Sequence, residues 1–197
     1  MVDMEPVTST SAMQRISQSV LVLILVAGSM NLLADALAER RALVGLNLFR
    51  TFVAADRDLQ RHRNQYGYLP VVVLYARSPD VAERFQEQLL QSFSSVKEIP
   101  TDIQSLSLED LLTLSQPPGA VFVAEKLTAG DRQRLVLASI QRQFLVFSPF
   151  EGDVEAGVLG GLAVEARVTP VVNMNTLTAS RIPLKQFYLS VSRRYAE

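Results

Sequence analysis

Three short apolar runs do most to limit the folds open to this chain. Residues 69–76 (LPVVVLYA), 120–124 (AVFVA) and 144–147 (FLVF) are continuous and rich in β-branched and aromatic side chains. That is the pattern of strands covered on both faces, as in a parallel sheet. Helical signals fill the gaps between them. After the first run, Ser78 can cap and Pro79 fits a first-turn position, while Val81, Phe85, Leu89 and Phe93 rise four residues at a time. Residues 95–99 suit a short strand. Ser107 with Asp110 opens a helix through Leu108, Leu111 and Leu112, which Pro117-Pro118-Gly119 breaks. Thr128 with Asp131 opens another, with Leu135, Val136, Ala138 and Ile140 facing inward.

Strand and helix thus alternate. The expected fold is α/β: a single domain with a central, mostly parallel sheet flanked by helices. The C-terminal quarter adds an antiparallel hairpin, since residues 158–164 and 168–174 are apolar and flank the polar link Glu165-Ala166-Arg167. A terminal helix over residues 183–195 then carries Leu184, Phe187, Tyr188, Val191 and Tyr195 at helical spacing, with Pro183 in its first turn. An opening helix over residues 41–59 places Leu43, Leu46, Phe49 and Val53 on one side. With 197 residues, 48% of them apolar, the chain can bury one sizeable core.

The N-terminus suggests export. Arg15 precedes the unbroken apolar run 20–27 (VLVLILVA), of signal-peptide length, and Ala36-Leu37-Ala38 supplies small residues in an A-x-A pattern. Residues 1–38 therefore read as a secretory signal, cut between Ala38 and Glu39, ahead of a mature domain over residues 39–197. The alternative is an uncleaved anchor extended through Leu33. Cleavage would leave a periplasmic protein of a Gram-negative bacterium with no stable membrane insertion.

Charge and composition exclude several functions. The 19 Lys plus Arg are nearly balanced by 20 Asp plus Glu, so nothing favours nucleic acid as a partner. Cysteine is absent, which removes disulfides, thiolate nucleophiles and thiolate metal sites. The lone histidine, His62, sits between Arg61 and Arg63 in a basic loop, a poor setting for a metal ligand. No serine lies in a G-x-S-x-G elbow, and Gly157, Gly160 and Gly161 do not make a phosphate-binding loop. Those glycines read as tight turning before the hairpin. Glu151, Asp153 and Glu155 alternate as either a solvated loop or a hard-cation loop without calcium-loop spacing. We therefore expect no catalytic residues, no metal and no cofactor; the protein reads as a non-enzyme.

In a parallel sheet, ligands bind beyond the carboxyl ends of the strands. Arg77 and Ser78, the Glu125-Lys126 pair and Ser148 follow the three runs, so Arg77, Ser78, Lys126 and Ser148 form the candidate ligand crevice.

From residue 142 onward the chain resembles the YfiR-like family of bacterial periplasmic proteins. The likeness lies in the strand ending at Ser148, the Gly-containing acidic loop, Gly160-Gly161, Asn173 or Asn175 near the end of the last strand, and Phe187-Tyr188 in the final helix. The segment ALVGLNLFRTF looks like that family's first helix. Departures are Val53-Ala54 where Trp-Pro is common, Val172 and Met174 flanking Asn173, and the lack of cysteines. The resemblance implies a non-enzymatic regulator that binds and restrains the periplasmic part of an inner-membrane signalling protein, a diguanylate cyclase or a sensor kinase. Arg57, Arg61 and Arg63, with Asn173, Asn175 and Arg181, are then the expected partner surface. A homodimer through the apolar edge of the hairpin is a further expectation. The alternative function is an accessory subunit or small-ligand-binding protein of an envelope complex.

Overall fold

The three apolar runs form the centre of one eight-stranded sheet in the computed structural model, which describes residues 40–196. In chain order the elements are α1 (residues 40–55), β1 (Leu69–Tyr75), α2 (Pro79–Ser92), β2 (Ser95–Val96), β3 (Ile99–Ser107), α3 (Leu108–Thr113), β4 (Ala120–Val123) and α4 (Ala129–Arg142). There follow β5 (Leu145–Ser148), β6 (Gly160–Val164), β7 (Val168–Asn173), α5 (Met174–Ser180), α6 (Gln186–Val191) and β8 (Arg193–Tyr195). The strand order is β2-β3-β1-β4-β5-β6-β7-β8. From β3 to β6 all neighbours are parallel, β6 and β7 form the expected antiparallel hairpin, and β8 returns parallel to β7.

Valine runs make the central strands because both faces are covered. Val71 and Val73 of β1 face the cluster built from α1 and α2, where Phe49, Phe52, Phe85, Phe93, Phe122 and Phe147 are buried together. The rings meet edge-on or tilted, apart from Phe122 and Phe147, which stack with centroids 6.2 Å apart. The alternate residues Val72 and Leu74 point the other way, towards the layer of α3 and α4 that buries Leu108, Leu111 and Leu135. Each fully buried side chain of this size contributes about 1.5–3 kcal/mol, so the two covered faces dominate stability.

Both expected helix starts on the second layer form. Ser107 Oγ accepts the Asp110 N–H at 3.1 Å, and Thr128 Oγ1 accepts the Asp131 N–H at 3.2 Å. Four elements differ from expectation. Residues 95–99 are not one strand: Ser95–Val96 turns through Lys97 and Glu98, both at positive φ, into the nine-residue β3, which pairs with β1 from Thr101 to Ser107. The stretch between the hairpin and the terminal segment, for which no helix was expected, forms the helix α5, capped by Asn173. The expected helix over residues 183–195 is six-residue α6 followed by β8, because Arg193–Tyr195 pairs with Val171–Asn173. Finally, α1 ends at residue 55, where Asp56 bridges to Leu184.

Gly160 and Gly161 lie inside β6, not in a turn. A Cβ on Gly160 would stand 2.7 Å from the Phe52 ring, and one on Gly161 would stand 2.7 Å from the Ser148 carbonyl oxygen. Close approach, not turning, requires them. The residues around Ala38 and Glu39, with the signal or anchor reading, lie outside those described.

Candidate functional site at the carboxyl ends of the strands

The loops after β1 and β4 meet where the sequence places the crevice. Residues 76–78 lead into α2, and their backbone N–H groups converge on one carboxylate oxygen. Glu125 Oε1 accepts from Ala76 at 2.7 Å, from Arg77 at 2.5 Å and from Ser78 at 3.2 Å. These donors come from the loop just ahead of α2, beside the positive end of the helix, and together they make a seat for an anion. Burial pushes the Glu125 carboxyl up, but the N–H groups of Arg77 and Ala76, together with Ser78, outweigh it and hold the group below the usual glutamate range. Ser78 makes no side-chain cap of its own; Glu125 supplies the acceptor from across the sheet. Arg77 and Lys126 are exposed at the rim, and Arg77 reaches the Lys126 carbonyl at 3.4 Å.

Ser148 is not part of this opening. It is fully buried and donates to Asp153 Oδ2 at 2.5 Å, while its Oγ accepts the Phe150 N–H at 3.2 Å. The other Asp153 oxygen accepts from Arg132 at 3.1 Å. Ser148 therefore folds the loop after β5 back over α4. Asp153 points inward while Glu151 and Glu155 point to solvent, so the three acidic residues do not converge. No cluster of three metal-ligating side chains occurs among the described residues. Burial raises the Asp153 carboxyl above its ordinary range despite Ser148, Arg132 and Lys126.

The residues expected to face a partner divide. Asn173 is buried: its Oδ1 accepts the Thr176 N–H at 2.9 Å and its Nδ2 donates to the Val154 carbonyl at 2.7 Å. It is the N-cap of α5 and belongs to no surface. Asn175 and Arg181 are exposed on and after α5. Arg57, Arg61 and Arg63 are exposed at the opposite end of the sheet from the crevice, and the Arg57 N–H donates to Pro183 at 2.9 Å. That contact brings the Arg57 loop beside the segment that follows Arg181. Arg63 lies over a turn, donating to Gly67 at 3.0 Å and Gln60 at 3.1 Å, with Tyr66 and Tyr68 exposed on either side of the glycine.

His62 is not in the solvated loop its neighbours suggest. It is buried beneath Arg61, whose Nε donates to His62 Nε2 at 3.1 Å, and it stands 3.4 Å from the fully buried carboxylate of Asp56. The Asp58 N–H satisfies Asp56 Oδ1, and Lys97 Nζ donates to the Asp56 carbonyl. The sequence puts Glu125 in the loop after the second run without assigning it to the crevice, and it does not single out Asp56. Glu125 had a signal, an acidic side chain directly after a buried strand; Asp56 had none, sitting in a run of charges.

Comparison with known proteins adds a fold and no family. No protein-family model matches the sequence, and no curated protein matches it. Among solved structures, one neighbour is a substrate-binding protein with adhesive properties from Clostridium difficile, in its ligand-free, open form. It superposes with a TM-score of 0.51 at 14% identity over 77% of this chain and 58% of its own. Another is a conserved domain protein from Vibrio cholerae, with a TM-score of 0.50 at 13% identity over 70% of this chain and 60% of its own. This chain thus spans about three-fifths of the length of these neighbours. The likeness is one of fold. It agrees with the α/β architecture, a mostly parallel sheet between helices.

Proposed function

We propose that this chain is a small-ligand-binding domain of the substrate-binding kind, acting outside the cytoplasm, and that its ligand carries a carboxylate or a similarly small anionic group. The observation that carries this is the set of three N–H groups on Glu125 Oε1. The cradle lies where parallel sheets bind ligands, and its present occupant is a carboxylate that a ligand's own carboxylate would replace group for group. Arg77 and Lys126 at the rim supply positive charge for an approaching anion. The fold neighbour that is a substrate-binding protein supports the same reading, and the apolar run 20–27 supports export. No catalytic role is assigned to any residue.

E125A, which empties the cradle, tests this by thermal melting with acetate, phosphate, amino acids and dicarboxylates. A small carboxylate should raise the melting temperature of E125A by mass action, with about 2.7 kcal/mol of stabilisation at a hundred times its dissociation constant. Wild type should respond only to ligands with enough further contacts to displace Glu125. If no anion moves the melting temperature of E125A, the proposal is wrong.

One feature favours a second reading, a regulator that restrains an inner-membrane cyclase or kinase, as the YfiR-like resemblance implies. Tyr66 and Tyr68 are exposed around Arg63 at the end away from the cradle, and Tyr and Arg are the side chains that dominate protein interfaces. Such a regulator acts by binding the inactive state of its target more tightly than the active one. Capture of a membrane signalling protein that Y66A and R63A abolish and E125A leaves intact would favour this reading over the first.

A further inference from the structure

We infer that the end of the molecule formed by the start of α1 and the tip of the β6–β7 hairpin rests on a lipid surface. Contacts along the two elements fix the geometry. Gly160, at the start of β6, lies against Phe52, near the end of α1. Further along β6, Leu162 lies beside Gly45, and the Leu162 carbonyl accepts from Arg41 at 2.8 Å; Arg41 also donates to the Pro149 carbonyl. β6 and α1 therefore run in opposite directions, so the hairpin tip and the first turn of α1 reach the same end.

That end carries exposed apolar side chains on either side of the polar turn Glu165-Ala166-Arg167. Val164 and Val168 face each other across the hairpin at 51% and 40% exposure. Leu43 and Val44 are 39% and 37% exposed, with Val44 on the side of α1 turned away from Ala42 and Leu46 and Leu43 at the margin of the buried face. The exposed basic residues Arg40 and Arg167 stand among them, while Arg193 is paired with Glu165 at 3.0 Å. Apolar side chains with Arg40 and Arg167 beside them suit the boundary between acyl chains and anionic headgroups.

The sequence supplies the argument for lipid over protein. Six residues separate its most apolar stretch, residues 20–33, from Arg40. Six residues span roughly 20 Å at full extension, so in the uncleaved form, anchored through Leu33, the membrane holding that stretch has this end within its reach. A second copy is a weaker occupant, because four part-exposed side chains fall short of the ~1,000 Å2 that a stable protein interface buries.

The chain has no tryptophan, so single substitutions report without background. Full-length V164W, L43W, L90W and L137W would be incorporated into phosphatidylethanolamine–phosphatidylglycerol vesicles, with and without brominated acyl chains, after melting curves establish that each folds. Leu90 and Leu137 are exposed on α2 and α4 and serve as controls. Emission from V164W and L43W should shift to the blue and be quenched by the brominated lipid at least twice as strongly as from the controls. Emission unaltered by vesicles would overturn the inference. So would a blue shift without bromine quenching, which would mean that a second copy covers the tip.

Discussion

Asp153 shows how a loop residue becomes structural through what it touches. Ser148 and Arg132 hold its two oxygens, yet burial leaves the carboxyl above its ordinary value of 3.8. A raised pKa in the folded state means that the native protein binds this proton more tightly than the unfolded chain does. The group's contribution to stability is thus fully present below pH 3.8 and is lost as pH rises through the folded-state pKa. Asn has the same size but does not titrate. The difference in unfolding free energy between wild type and D153N should therefore favour wild type most at the acid end and decline with rising pH, measured by urea titration between about pH 3 and 8. A difference that grows with pH would contradict the burial argument. None of this was legible in the sequence, where Asp153 is one of three alternating acids and the side it faces depends on a turn. Gly160 and Gly161 stood out in the sequence, but their reason did not, because the atoms that forbid a side chain there come from Phe52 and Ser148.

Elements were legible where a local pattern decided them. The valine and phenylalanine runs became β1, β4 and β5, and the Ser107 and Thr128 caps formed as spaced. β3 was hidden because it is the half-covered strand next to the sheet edge: Pro100, Asp102 and Gln104 interrupt its apolar positions, and only Ile99 and Ile103 are buried. β8 was hidden because Arg193–Tyr195 continues a helical spacing, and only its pairing with β7 makes it a strand. Beyond Thr101, whose N–H still donates to the Ser94 carbonyl at 3.0 Å, the outer edge of β3 has no partner strand among the described residues, and the Gln86 side chain covers part of it. Gln86 of α2 donates to the Ile103 carbonyl at 3.1 Å and accepts the Ser105 N–H at 3.1 Å, so its amide takes the place of a neighbouring peptide. Such a bare edge invites pairing with another chain. Q86A should cost about 1–2 kcal/mol through two part-buried groups left unpaired. It should also add concentration-dependent association, seen by sedimentation, beyond any that wild type shows. A variant as stable and as monomeric as wild type would remove Gln86 from this role.

At the scale of the whole molecule, the described chain closes by tying its beginning to its end. The Lys185 N–H donates to the Ala55 carbonyl at 2.8 Å, the Arg57 N–H donates to Pro183 at 2.9 Å, and Asp56 bridges to Leu184. Beside these bonds, Ile182, Leu184 and Tyr188 enter the main core, and the Tyr188 ring sits 5.7 Å from Phe52. The sequence indicated an amphipathic C-terminal helix but not its docking site, because a hydrophobic stripe states that a face is buried and not against what. The docking makes the last turn of α1, the His62 turn and the α5–α6 link one cooperative unit, with Asp56 at its centre. Y188A removes the ring that fills the joint and should cost about 3–5 kcal/mol, as large aromatic truncations in cores do. Cooperativity gives the sharper test. Native-state hydrogen exchange should show the Arg57 and Lys185 amides losing protection together and by the same free energy, because each bond holds only while the joint is packed. Loss at Lys185 alone, with Arg57 still protected, would mean that the C-terminal segment unfolds by itself and that α1 does not depend on it.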